Sequence, residues 1–283
     1  MATPIDFEQL IAKVEQLESQ SENGISRNYA EALRETRNII RDKFDSYAVD
    51  GELTFAEMQK YNRSKKLNKE VRYAMNDLWV ENGAETRKTL RDIYRTSYGT
   101  TKDLVEEAAN QVIRGKIKRE MVQEALQMPL SGLSLNERLS RRRSDIITRI
   151  QETISQGLMD NETYTQMSSR IKETLEGDFS KAMRIVRTEG NRLSNKAKMD
   201  NLERAKAQGV ELKKYWINSA DERVRDTHEA LGDKYTEDNA IDIDEDFVDP
   251  ITGASAPAPS QFTEAKLTIN CRCQAGYIVV TDD

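Results

Sequence analysis

The sequence is poor in the residues that build turn-rich or disulfide-stapled folds. Its 283 residues include only 13 glycines, 5 prolines, 2 cysteines and a single histidine. So few turn formers argue against a fold of many short strands and for long helices with short connections. The two cysteines form one Cys-x-Cys pair, Cys271 and Cys273, which is no disulfide framework and fits synthesis in a reducing compartment. Aromatic residues make up 6%, which leaves little apolar surface to bury per residue. No apolar run approaches the roughly 18 residues that a membrane span requires. The opening Met1-Ala2-Thr3-Pro4-Ile5-Asp6 lacks the basic start and apolar stretch of a secretion signal.

What is abundant is charge, at 33% of residues with a net of −6. It is unevenly spread. From Asp221 onward there are 15 acidic and 5 basic residues, against 34 acidic and 38 basic in residues 1–220. An acidic chain of this kind meets nucleic acid only through a local basic face. Its length lies where single cores give way to two, so two regions are expected.

The apolar spacing reads as helix along most of the chain. Thr3-Pro4 has the form of an N-cap followed by proline at the first helical position, and Phe7, Leu10, Ile11, Val14 and Leu17 recur behind it at helical spacing. A break is expected at Ser21 to Gly24, then a second helix to Tyr47. Thr54-Phe55-Ala56-Glu57 is a capping box. Further helices are expected on either side of Asn82-Gly83 and up to Tyr98-Gly99, with another over 101–114. Met128-Pro129 marks the boundary between a helical region, 1–128, and a second domain, 129–283. That second domain reads as helices over Asn136–Gln156, Asn161–Leu175 and Ser180–Gln208, punctuated by Gly157, Gly177 and Gly209. Then the texture changes: Val210 to Ile217 suits a strand, Glu222 to Leu231 a short helix, Asp242 to Gln261 a loop, and Cys271 to Val280 a closing strand. The fold class is therefore α+β, mostly α-helical with a small β-sheet in the C-terminal domain.

Three features carry chemistry. Cys271 and Cys273, two apart on an extended segment, point to one face and with His228 offer three ligands to a soft metal such as zinc, whose structural sites take four protein ligands. Asp226 is a candidate fourth ligand. The alternative is two buried cysteines acting as small apolar residues. The second feature is the basic cluster Arg138, Arg141, Arg142, Arg143 and Arg149, in a stretch (residues 138–214) with 17 basic and 11 acidic residues. It suits phosphate contact, or else the mixed-charge solvent face of a helix. No aromatic residues interleave it, so base stacking is not expected. Third, Asp242-Ile243-Asp244-Glu245-Asp246 begins like a calcium loop but has Phe247 where that loop needs glycine and Gly253 where it needs glutamate. No catalytic signature accompanies these residues.

Four segments, in order, resemble the head-morphogenesis family of tailed bacteriophages, the Mu-F-like minor head proteins. They are Arg187-Thr188-Glu189 with Arg192 and Asn195; Lys214-Tyr215-Trp216; Asp221-Glu222-Arg223-Val224-Arg225 through His228; and Ile269-Asn270-Cys271-Arg272-Cys273. The resemblance covers about residues 130–278. Many relatives carry a second cysteine pair near the Asp-x-Arg segment, where this chain has Arg223, Arg225 and His228. The glycine-rich stretch usual before the last motif is here the acidic segment Glu237 to Asp249.

The resemblance implies a virion protein rather than an enzyme. It implies a minor capsid component that associates with the portal protein and packaged phage DNA during procapsid assembly and leaves with the genome in some relatives, with scaffold or major capsid protein as further partners. It implies a place inside the capsid near the portal, with host cytoplasm as the site of assembly and no membrane in the mature particle. The helical region 1–128 would face the assembly. Arg187, Glu189, Arg192, Trp216, Asp221, Arg223, Arg225, His228, Asn270, Cys271, Arg272 and Cys273 would form the structural motif, with an arginine–carboxylate network pinning helices to the sheet. No cofactor is implied beyond the zinc that the cysteine pair and His228 suggest. The alternatives are a metal-dependent hydrolase or nuclease built on Cys271, Cys273, His228 and nearby acids, or a non-specific DNA-binding protein.

Overall fold

Long helices dominate the computed structural model, which describes residues 2–219 and 224–281. In order they are α1 (Glu8–Tyr47), α2 (Phe55–Gln59), α3 (Arg63–Ala109), α4 (Arg119–Gln127), α5 (Leu135–Met159), α6 (Tyr164–Lys206), α7 (Asp226–Lys234) and the single turn α8 (Ala265–Thr268). The strands are β1 (Ala2–Pro4), β2 (Glu211–Ile217), β3 (Ile241–Asp242), β4 (Phe247–Val248), β5 (Ser255–Ala256) and β6 (Gln274–Val280). The architecture is mostly α with a small antiparallel sheet, as the residue pattern implied.

Several expected breaks are absent. Helix α1 runs unbroken through Ser21 to Gly24, α3 through Asn82-Gly83 and Tyr98-Gly99, and α6 through Gly177. A glycine inside a helix costs about 1 kcal/mol relative to alanine, which the buried stripe of a helix of 40 or more residues outweighs. Thr3-Pro4 does not start a helix. It is edge strand β1, where proline is tolerated because its missing N–H faces away from the ladder. The helix begins later, where the Asp6 carboxylate accepts from the Glu8 amide at 2.8 Å. Thr54 does cap α2, accepting from the Glu57 amide at 3.2 Å.

The chain forms two compact units. One comprises residues 1–19, 88–135 and 184–283, the other residues 20–87 and 136–183. Each draws chain from both sides of the expected 128/129 division, because α1, α3 and α6 are long enough to contribute to both.

The second unit is entirely helical apart from its connections. Ile40, Val71, Met75, Ile146, Ile150, Ile154 and Ile171 are buried in it. The Tyr29 hydroxyl donates to Asp178 at 2.7 Å inside it, and the Phe44 and Tyr164 rings meet edge-on with centroids 6.0 Å apart.

The first unit holds the four-stranded sheet in the order β1-β6-β2-β3, all antiparallel. The end of α6 delivers the chain into β2. Gly209, at φ +91°, takes the left-handed conformation after the helix, and the Val210 amide donates back to the Ala205 carbonyl at 3.2 Å. The core joins Phe7, just before α1, Leu10 and Val14 of α1, Met199 and Leu202 of α6, Trp216 of β2, Leu231 of α7, and Tyr277 and Val279 of β6. The strands β4 and β5 make a separate two-stranded ribbon.

Candidate functional site

The site is assembled in the first unit from three parts of the sequence: one face of α6, the helix α7, and the segment Ile269–Cys273 that leads into β6. On α6, Thr188, Asn191, Asn195 and Lys198 recur at intervals of three or four, so they share a face, and all four are buried. A polar stripe in such a place needs partners. It finds them in the Cys-x-Cys segment. The Asn191 Nδ2 donates to the carbonyls of Cys271 (2.8 Å) and Cys273 (3.2 Å) and to Ser260 Oγ (2.8 Å). The Gln274 side-chain amide donates to Asn191 Oδ1, the Asn270 amide donates to Thr188 Oγ1 at 3.1 Å, and the Ala275 amide donates to Asn195 Oδ1 at 3.4 Å. The Lys198 ammonium donates to Gln274 Oε1 at 2.7 Å, and burial pushes this lysine down to about 7. Helix α6 thus hydrogen-bonds the backbone of residues 270–273, which lies outside any strand ladder, and reaches Ala275 at the start of β6.

The cysteines are not on the closing strand, as the pattern had suggested, since β6 begins one residue after them. Asn270 sits at φ +57°, the left-handed region that asparagine tolerates. From there the chain runs on to β6, with Cys271 and Cys273 buried and Arg272 exposed between them. Both thiols face His228 of α7: Cys273 Sγ lies 3.4 Å and Cys271 Sγ 3.7 Å from its Nδ1. Its other nitrogen, Nε2, is 3.0 Å from the Leu267 carbonyl, which can only accept, so Nε2 bears a hydrogen and Nδ1 is the nitrogen that faces the sulfurs. The Trp216 ring packs edge-on against the imidazole, centroids 5.6 Å apart, and its Nε1 donates to Asn218 Oδ1 at 3.0 Å. The Cys273 thiol hydrogen-bonds Cys271 and, with His228 nearby, holds the Cys271 thiol well below its usual range; the same contact, with burial, pushes Cys273 up.

Among the described residues, His228, Cys271 and Cys273 are the one group of three or more potential metal-ligating side chains placed together, their ligand atoms all within 4.8 Å of one another. Asp226, the expected fourth ligand, is exposed on the first turn of α7 and outside that group. Cys-His nucleophilic chemistry has a poor footing here, because the three side chains are only 2–3% exposed.

The remaining motif residues divide. Arg192 and Glu189 form a buried pair at 2.8 Å, and Arg192 also donates to the Ala125 carbonyl at 2.8 Å. That network ties α6 to α4 rather than to the sheet. Arg225 stands at the N-cap position of α7 and donates to the Ile269 carbonyl. Arg187 and Arg272 are exposed. Asp221 and Arg223 lie outside the described residues.

Asn191, Ser260 and the buried Lys198 stand outside the segments that the motifs singled out, and the buried Lys214, inside one of them, was given no role there. Lys214 of β2 donates to the carbonyls of Ile243 (2.9 Å) and Pro257 (2.7 Å), and burial lowers it to about 8. A lysine on the buried side of an alternating strand was the available signal.

The basic cluster lies on α5, in the other unit. Arg141, Arg143 and Arg149 are exposed, while Arg138 and Arg142 are half-buried. Arg142 pairs with Asp145 and lies 3.8 Å from the buried Asp178. Arg149 lines an open groove together with Glu152, Arg170 and Glu173, where both signs of charge meet. The acidic loop folds onto the first unit: Lys206 reaches Asp242 at 2.6 Å and also pairs with Asp244.

Comparison with known proteins bears on the same region. Residues 148–276 match the family model described as Phage Mu protein F like protein. The chain is similar to the minor head protein GP7 of Bacillus phage SPP1, 29% identical over 280 residues, which covers 99% of this chain and 89% of that protein. It is also similar to the NAD(+)–arginine ADP-ribosyltransferase EFV of Enterococcus faecalis, 31% identical over 163 residues, 58% of this chain but only 32% of that protein. No solved structure matches. Residues 148–276, the part of the chain similar to the Phage Mu protein F like family, contain the α6 stripe, His228 and the Cys-x-Cys segment.

Proposed function

We propose that this protein is a minor head protein of a tailed phage that acts in head morphogenesis as a structural component rather than as an enzyme. The observation that carries the reading is the similarity along 99% of the chain to a protein named as a minor head protein, of which it spans 89%. A relative matched end to end shares an architecture, whereas the ADP-ribosyltransferase is matched over about a third of its length, so the activity in its name stays with that protein. The geometry supports a structural role as well. Thr188, Asn191 and Asn195 are spent on hydrogen bonds that fasten α6 to residues 270–275, and the thiol–imidazole group is shielded from any substrate.

In this reading the protein associates with the portal protein and lies near packaged DNA inside the head, with scaffold or major capsid protein as further contacts during assembly in the host cytoplasm. Arg141, Arg143 and Arg149 are the exposed cations of α5 that would meet phosphate. Arg138 and Arg142, half-buried, would add field rather than direct contacts. Such binding would be non-specific and strongly salt-dependent. Mass spectrometry of purified procapsids and virions from the source phage, with co-purification on tagged portal protein, tests the reading. Presence in the particles and recovery with the portal are expected; absence from both kinds of particle would overturn it. For the DNA contact, Arg141→Ala, Arg143→Ala and Arg149→Ala together should flatten the salt dependence of DNA binding, by about one unit of log–log slope for each phosphate no longer neutralised. An unchanged slope would remove that part.

A further inference from the structure

We infer that His228, Cys271 and Cys273 form a site for one zinc ion, which clasps α7 to the segment before β6. A tetrahedral zinc held by thiolate sulfur and imidazole nitrogen, at the usual bond lengths, places sulfur and nitrogen ~3.5 Å apart. The two sulfur-to-Nδ1 distances here, 3.4 and 3.7 Å, bracket that value. All three ligand atoms lie within 4.8 Å of one another, so a single ion can reach them with small side-chain adjustments.

The imidazole is oriented for the task. Its Nε2–H is held by the Leu267 carbonyl at 3.0 Å, an outer-shell contact typical of metal-bound histidine, which leaves Nδ1 as the nitrogen directed at the sulfurs. The Asn191 amide holds the carbonyls of both cysteine residues, fixing the direction in which each side chain leaves the backbone.

The charge balance fits the burial. Two thiolates, one neutral imidazole and the Zn²⁺ dication make a complex of zero net charge, with the protons that the ligands still hold passing to solvent on binding. A neutral complex is the one that a site so shielded from water accommodates at least cost. The three side chains leave a fourth position for an oxygen donor. Asn218 Oδ1, 4.0 Å from Cys273 Sγ, faces the same cluster, and a water serves equally. The site stands independently of the assembly role: a head protein without zinc and a zinc protein outside the head are separate outcomes.

The test uses the full chain, purified under reducing conditions without chelator. Elemental analysis should find about one zinc per chain. Cobalt(II) added to chelator-stripped protein should give the visible bands of a tetrahedral ion together with a thiolate-to-metal charge-transfer band. Both thiols should be protected from alkylation with zinc present and reactive after its removal. Cys271→Ser and Cys273→Ser should each abolish the charge-transfer signature of a two-thiolate site, and His228→Gln should weaken zinc binding about tenfold or more. Wild-type protein that holds no stoichiometric zinc, takes up no cobalt, and is alkylated at the same rate with and without zinc would overturn the inference without reliance on any variant's folding.

Discussion

The side-chain amide of Asn191 donates to the main-chain carbonyl of Cys271 at 2.8 Å, across 80 positions of sequence. With its second bond to the Cys273 carbonyl, one buried side chain fixes the backbone from which both thiols project. Asn191→Leu, similar in volume, strips donors from Ser260, Cys271 and Cys273 and the acceptor used by Gln274. Leaving such groups buried and unpaired costs about 1–3 kcal/mol each before relaxation or water entry. Urea unfolding should register a loss of at least that order. A midpoint within error of wild type would mean that these hydrogen bonds are dispensable.

The Glu189–Arg192 pair gives a sharper test of how its charges are held. Both side chains are almost fully buried, at 1% and 4% exposure. Removing one partner strands the other, so Arg192→Met alone should destabilise by about 3–5 kcal/mol. Replacing both, Glu189→Leu with Arg192→Met, should recover most of that loss. A double variant as unstable as the sum of the singles would show that each residue is held by its other neighbours, not by its partner.

Lys198 predicts a pH dependence. Burial lowers it from 10.5 to about 7 in the folded chain. Between those values the unfolded chain holds a proton that the folded chain has given up, so stability rises with pH from about 7 towards 10.5. Lys214, lowered to about 8, acts in the same direction over the upper part of that window. Urea midpoints measured from about pH 6 to about pH 9 should climb through this range, and Lys198→Met should flatten the climb. A wild-type curve that falls over this range would contradict the assignment.

Gly276 lies opposite Tyr215 across the β2–β6 ladder, and a Cβ there would collide with the tyrosine ring. Gly276→Ala should therefore push the ring aside and cost about 1–3 kcal/mol. Tyr215→Ala should cancel much of that penalty in the double variant, a coupling that a thermodynamic cycle measures directly. Additive effects would mean that the ring moves away freely.

Much of the architecture was legible from residue pattern because the relevant signals are local. The N-cap at Thr54, the alternating strand at Glu211–Ile217 and the helical stripe of α5 all hold, though the Glu57 carboxylate of the expected capping box pairs with Lys60 and Arg63. The glycines misled because a local cost of about 1 kcal/mol says nothing of the packing that outweighs it. At Gly190 an added Cβ would come 2.5 Å from Glu18 Oε1, so the absence of a side chain permits a close approach. Strand β1 was invisible because its partner, β6, lies at the far end of the sequence and Thr3-Pro4 has equally good local form as a cap. At the site, the residue types and their shared direction could be read. The placement of both cysteines ahead of the strand, the tautomer of His228 and the role of Asn191 could not, because each depends on partners 39 to 82 positions apart.

The pairing of β1 with β6 also sets a schedule. Ala2, Thr3 and Pro4 find their partners only in Ile278, Val279 and Val280. A ribosome adding about 5–20 residues per second needs roughly 15–55 s to join those two ends of the ladder. The all-helical unit is complete once Met183 has emerged. The sheet unit stays open until β6 leaves the exit tunnel, so a chain interrupted between those two points carries a finished helical unit and an unclosed sheet.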